Sequence, residues 1–95
     1  MRLIWTTEAR DDLAAAFAYV STDNPKAGAR LVLRIGGHIA RQLTRFPESG
    51  RPGRIEGTRE LVGSGTPYVV PYRVSGETVT ILRVYHGARK WPEGL

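Results

Sequence analysis

The 95-residue chain contains no cysteine, which excludes a disulfide framework and any thiolate metal site. Its imidazoles, His38 and His86, stand far apart in sequence and make a poor zinc cluster. No metal or cofactor is expected. Long hydrophobic runs are missing too: nothing approaches the roughly 20 apolar residues of a membrane span, and Met1-Arg-Leu-Ile-Trp5 lacks a signal peptide's apolar stretch. These features predict a soluble, cytoplasmic protein with no membrane partner. Acid is scarce, with nine Asp and Glu against fourteen Lys and Arg, for a net charge of +5. Such an excess favours nucleic acid, an acidic peptide or an anionic surface. Twelve of the cations are arginine, whose planar fork suits bidentate contact with phosphate or carboxylate. A GC-rich genome would give the same bias.

The length fits one domain over residues 1–95 with one core. Leu3-Ile-Trp5 predicts a short first strand, with Trp5 in the core. Thr7 looks like an N-cap followed by Glu8, Asp11 and Asp12, where the helix dipole favours acid. A helix from about Glu8 to Ser21 follows, with Leu13, Ala16, Phe17 and Val20 as its apolar stripe. Asn24-Pro25 repeats the start signal and opens a second helix to about Phe46, lined by Leu31, Ile35, Ile39, Leu43 and Phe46. Gly36-Gly37 inside it costs roughly 1 kcal/mol per glycine relative to alanine, which close approach to the alanines of helix one would offset. The short Thr22-Asp23 link predicts an antiparallel helical hairpin, and His38 reads as a surface or rim residue.

From Pro47 to Thr58 proline, glycine and arginine alternate without periodicity, which predicts a loop made cationic by Arg51 and Arg54. Strands are expected at Arg59–Val62, Tyr68–Val74 and Thr78–Tyr85, the last two joined by Ser75-Gly76-Glu77. The whole reads as α+β, β-α-α-β-β-β, a helical hairpin packed on one face of a mainly antiparallel sheet. The last strand carries Val79, Ile81, Leu82 and Val84 on both parities, which predicts a central strand covered on both faces. Arg73 and Arg83 are expected to share the helix-free face, subject to hairpin register.

These motifs in this order, with Gly50-Arg-Pro-Gly-Arg54, Gly57-Thr-Arg-Glu-Leu61, Thr66-Pro-Tyr-Val-Val70, Tyr72-Arg-Val74, Ile81-Leu-Arg-Val-Tyr-His-Gly-Ala-Arg89 and Trp91-Pro92, resemble the RelE/ParE toxin superfamily over essentially the whole chain. The resemblance implies a toxin of a bacterial type II toxin-antitoxin operon, neutralised by a ParD- or RelB-like antitoxin through which alone it meets DNA. It implies one of two actions. RelE-like members cut messenger RNA on the ribosome, and ParE-like members poison DNA gyrase.

Cutting RNA through the 2′-hydroxyl needs a base, an acid and cations around the pentavalent phosphate. The RelE-like pattern carries an arginine where this chain has Val69. Arg89 matches the arginine after the last strand, but the aromatic group that follows it there has no counterpart. A nuclease would rest on His86, Arg89 and Arg83. Within the resemblance these residues fit the ParE-like pattern better, which implies a gyrase inhibitor that needs no catalytic set, with Arg83, Arg89, Lys90 and Trp91 as target-binding anchors and Arg51, Arg54, Arg59 and Arg73 facing the antitoxin. The alternative is the ribosome-dependent endoribonuclease. A plain nucleic-acid-binding domain ranks last, because neither an aromatic stacking platform nor a recognition helix is evident.

Overall fold

A computed structural model describes residues 1–88. Strand β1 spans Arg2–Trp5, helix α1 Thr7–Asp23 and helix α2 Pro25–Arg45, followed by β2 (Arg51–Pro52), β3 (Arg59–Leu61), β4 (Tyr68–Ser75), β5 (Thr78–Ile81) and β6 (Tyr85–His86). Helix α1 is capped by Thr6 rather than Thr7: its Oγ1 accepts the Ala9 N–H at 3.0 Å. Asn24 ends α1 and caps α2, with Oδ1 accepting the Ala27 N–H at 3.2 Å and Pro25 filling the first turn. One residue thus turns the chain between helices, and Thr22 and Asp23 belong to α1.

The close approach of the helices falls elsewhere than on Gly36-Gly37. A side chain on Gly28 would collide with Ser21 Oγ and press on the Phe17 carbonyl, whereas one on Gly36 would meet open space. Gly28 is the residue that lets the helices touch. Phe17 and Phe46 lie 41% and 59% exposed, outside the core that both were expected to join. Ala9 and Ala16 are the buried residues of α1 and join the core instead.

The sheet runs β1-β5-β4-β3-β2, with β1 parallel to β5 and the other pairs antiparallel. It presents Val70, Tyr72, Val79 and Ile81 to Ile35, Ile39 and Leu43 of α2, forming one core. The expected loop over residues 47–58 contains β2, paired to β3 by Arg51 opposite Glu60 and Pro52 opposite Arg59.

The expected last strand is broken. Tyr72 pairs with Ile81 and Val69 with Tyr85, so Val70 and Pro71 of β4 face Leu82, Arg83 and Val84. The extra residue is a β-bulge. It explains the mixed parity of the sequence: after the bulge Val84 returns to the core already lined by Val79 and Ile81. The apolar residues on both parities of this strand are therefore no sign of a second covered face.

Candidate functional site

The bulge is clamped to α1 at two points. Thr6 donates its hydroxyl to the Leu82 carbonyl at 2.8 Å. Asp12, one turn into the helix, accepts Arg83 Nε at 2.7 Å on Oδ2, Arg83 Nη2 at 3.0 Å on Oδ1, and the Val84 N–H at 2.9 Å. A fork-on-carboxylate pair sharing a backbone donor is among the stronger polar contacts available to a protein. Asp12 thus does more than complement a dipole. The Arg83 guanidinium also lies 4.7 Å from the centre of the Tyr85 ring, and its hydrogen bond to Asp12 raises its pKa further, keeping it charged. Burial pushes the Tyr85 phenol above its ordinary value, partly offset by Arg83.

This arrangement separates the two arginines expected to share a face. Arg83 reaches α1, on the helical side. Arg73 pairs across the sheet with Thr80, alternates with the core residues Tyr72 and Val74, and is exposed on the far side. His86 pairs with Tyr68, meets its ring edge-on at 5.4 Å, and accepts the Ala88 N–H on Nδ1 at 3.2 Å. That bond leaves the neutral imidazole's proton on Nε2. Val69, where the nuclease pattern has a cation, is buried opposite Tyr85. Arg89, Lys90 and Trp91 lie outside the described residues.

The basic loop is organised around a buried carboxylate. Glu60, 3% exposed, accepts Arg51 Nε and Nη2 at 3.0 and 2.9 Å on Oε1 and the Arg54 N–H at 2.8 Å on Oε2. Arg59 Nη1 donates to the Gly50 carbonyl at 3.0 Å, while the Gly50 N–H donates to the Tyr72 hydroxyl at 2.8 Å. Burial pushes the Tyr72 phenol above its ordinary value, partly offset by the Gly50 hydrogen bond and the charge of Arg59. Arg51, Arg54 and Arg59 therefore shape the loop before they meet any partner. His38 sits beside it, with Nε2 at 3.2 Å from the Val62 carbonyl.

One surface escaped the sequence reading. On the outside of the helical hairpin, Trp5, Leu13, Ala14, Phe17, Val32 and Leu33 line an apolar groove of about 650 Å³ with Arg10 at its rim. Leu33 is 74% exposed there, and Trp5 is only half-buried, one side on the core and the other in the groove. The available signal was Leu33, which falls off the buried stripe of α2 yet is apolar. Among the described residues no helix is long and apolar enough to cross a membrane, and no cluster of three or more His, Asp or Glu could hold a metal.

A helical hairpin packed on a mixed, mostly antiparallel sheet is the fold of RelE/ParE-type toxins. The model of the ParE toxin of the type II toxin-antitoxin system parDE matches residues 3–91. The Sinorhizobium fredii protein Y4kP is 47% identical over 94 residues, 99% of this chain and 96% of that one. Toxin RelE2 of Caulobacter vibrioides is 38% identical over 88 residues, covering 93% and 97%. Among solved structures, the chromosomal ParDE system of P. aeruginosa superposes with a TM-score of 0.80 at 31% identity, over 90% of this chain and 95% of that one. The RelBE2 toxin-antitoxin complex of Mycobacterium tuberculosis gives 0.55 at 35% identity over the same shares. The chain belongs to the ParE toxin family of type II toxin-antitoxin systems.

Proposed function

We propose that this toxin acts by binding a protein target, DNA gyrase, and is held inactive by a cognate antitoxin. The observation that carries the reading is the state of two would-be nuclease groups. Arg83 is bound through both arms of its fork to Asp12, and His86 has Nδ1 committed to a backbone N–H. Phosphoryl transfer needs cations and a titratable group aimed at the substrate; Arg83 is instead held against α1, and His86 keeps one nitrogen on its own turn. A gyrase inhibitor needs only a rigid binding surface, which the clamped bulge supplies just before Arg89, Lys90 and Trp91. The higher TM-score to the ParDE toxin than to the RelBE2 toxin supports the same choice.

The antitoxin would use two surfaces. The apolar groove on the helical hairpin fits the hydrophobic side of an amphipathic segment. Arg73 and the exposed parts of Arg51, Arg54 and Arg59 suit acidic residues beyond it. The deciding experiment adds purified toxin to gyrase and measures supercoiling and trapped DNA cleavage. Inhibition relieved by the antitoxin is expected; gyrase that works undisturbed sinks the reading.

The alternative, a ribosome-dependent endoribonuclease, draws on the 38% identity to Toxin RelE2. It requires codon-positioned cuts in translated messages and their loss in Arg89→Ala or His86→Ala. Intact messages and ongoing protein synthesis after induction would remove it.

A further inference from the structure

Helix α2 carries Lys26, Arg30, Arg34, Arg41 and Arg45 and not one acidic residue in its 21 positions. Steps of three and four residues, with His38 completing the row, put these groups on one side of the helix. All five cations are exposed, and none makes an ion pair among the described residues. They form a ridge along a helix about 30 Å long. Like charges at i, i+4 destabilise a helix, so the fold gains nothing from Lys26–Arg30 or Arg30–Arg34. Gly37, which the helix packing does not require, lies in the same row; a side chain there would press on Arg41 Nη1 at 2.8 Å. The glycine leaves room for a guanidinium lying along the helix. At the other end Arg30 and Arg34 line a recess of about 310 Å³ against Gly65, Thr66 and Pro67.

We propose that this ridge docks on the phosphate backbone of duplex DNA, a contact made by the toxin itself and independent of its target. Composition selects the occupant. Protein interfaces have an apolar, charge-depleted centre with aromatic anchors; on this side of α2 the cations, with His38, Thr44 and Gly37, outnumber Ala27 and the exposed Leu33 at its edge. From Leu33 the surface passes into the apolar groove, which Val32 also lines. Single-stranded nucleic acid is held by aromatic stacking, and the row has no aromatic residue. A-form RNA is recognised mostly by shape, through contacts to two successive minor grooves and the phosphates between them, whereas a single straight row offers one line of contact. Arginine forks in a straight row without base-reading groups suit the phosphates of a DNA duplex, bound without sequence preference.

The test uses the full-length chain, freed from antitoxin, and a labelled random-sequence DNA duplex, with anisotropy followed against salt. Affinity should fall with salt at a log–log slope of about −2 to −4, the signature of a few phosphates neutralised. Arg30→Gln, Arg34→Gln and Arg41→Gln should each reduce the slope by about 1. Glutamine is a good helix former, so circular dichroism and melting should be unchanged. Arg73→Gln, exposed on the far side of the sheet, should bind like the parent. The proposal is overturned by an unaffected triple variant, by an equal loss in Arg73→Gln, or by tighter binding of single strands or duplex RNA. Preference for poly-glutamate of matched charge would assign the ridge to an acidic protein and overturn it too. Gyrase inhibition can fail or succeed without altering any of these outcomes.

Discussion

The arginines of this toxin fall into two populations that differ in what stands beside them. In the loop and terminal hairpin, Arg51 and Arg54 converge on Glu60, and Arg83 on Asp12. Along α2, Lys26, Arg30, Arg34, Arg41 and Arg45 face no carboxylate among the described residues. The first group lies in the motifs that suggest function, and the second in a helix that suggests only packing. Proximity to acid reverses that impression: a cation held by a buried carboxylate is part of the scaffold, and the unpaired row adds to the positive field that a partner meets.

The largest test of this contrast is Glu60→Ala. It strands the Arg54 N–H and releases the Arg51 fork from a group 3% exposed, so unfolding stability should fall by about 3 kcal/mol, most of it from lost hydrogen bonds to a charge. Chemical denaturation checks it. A loss under about 1 kcal/mol would move Arg51 and Arg54 into the available population.

Asp12→Ala comes next, at about 2 kcal/mol, since Asp12 satisfies both Arg83 and the Val84 N–H. Arg83→Ala should cost about half as much, because Asp12 keeps its backbone donor. A double-mutant cycle should return a coupling of about 1 kcal/mol. If Arg83→Ala instead leaves stability intact and abolishes gyrase inhibition, Arg83 is an anchor and the division fails at its most important member.

A neutral partner in the same loop gives a smaller effect with a pH signature. Tyr72→Phe removes the acceptor of the Gly50 N–H, worth about 1 kcal/mol. Burial raises the Tyr72 pKa, so the folded chain holds this proton more tightly than the unfolded one. The resulting stabilisation is complete below a tyrosine's ordinary pKa of about 10 and is lost as pH climbs through the raised value. The parent should therefore lose stability above about pH 10 more steeply than Tyr72→Phe, with Tyr85 supplying the remaining slope.

Local signals account for most of what the sequence made visible. Asn24-Pro25, the buried stripe Ile35, Ile39 and Leu43, and the Ser75-Gly76-Glu77 turn each act within a few residues, and the elements they predict are present. What stayed hidden depends on pairs distant in sequence. Asp12 and Arg83 lie 71 residues apart, so Asp12 looked like a dipole partner and Arg83 like a free cation. The bulge is one residue of excess between two registers, visible in the sequence only as the parity switch from Ile81 to Val84, and the pairing of Arg73 with Thr80 gives Arg83 the opposite parity from Arg73. Phe17 and Leu33 fit helical spacing, but the groove they line exists only once two helices and β1 meet.

The smallest expected change bears most directly on the second population. Replacing Arg30 and Arg34 with glutamine removes no ion pair, so the shift in stability at moderate salt should stay within about 0.5 kcal/mol. Its sign should be positive at low ionic strength, because Arg30 and Arg34 stand at i, i+4 away from the helix C-terminus and repel each other. Salt screens such repulsion over about 10 Å at 0.1 M, so melting of the parent should rise more with added salt than melting of the variant. Equal salt responses would mean that undetected acid neutralises the row. A larger response in the parent would show a helix kept below its attainable stability by its own charges, the condition expected of a surface that serves a partner rather than the fold.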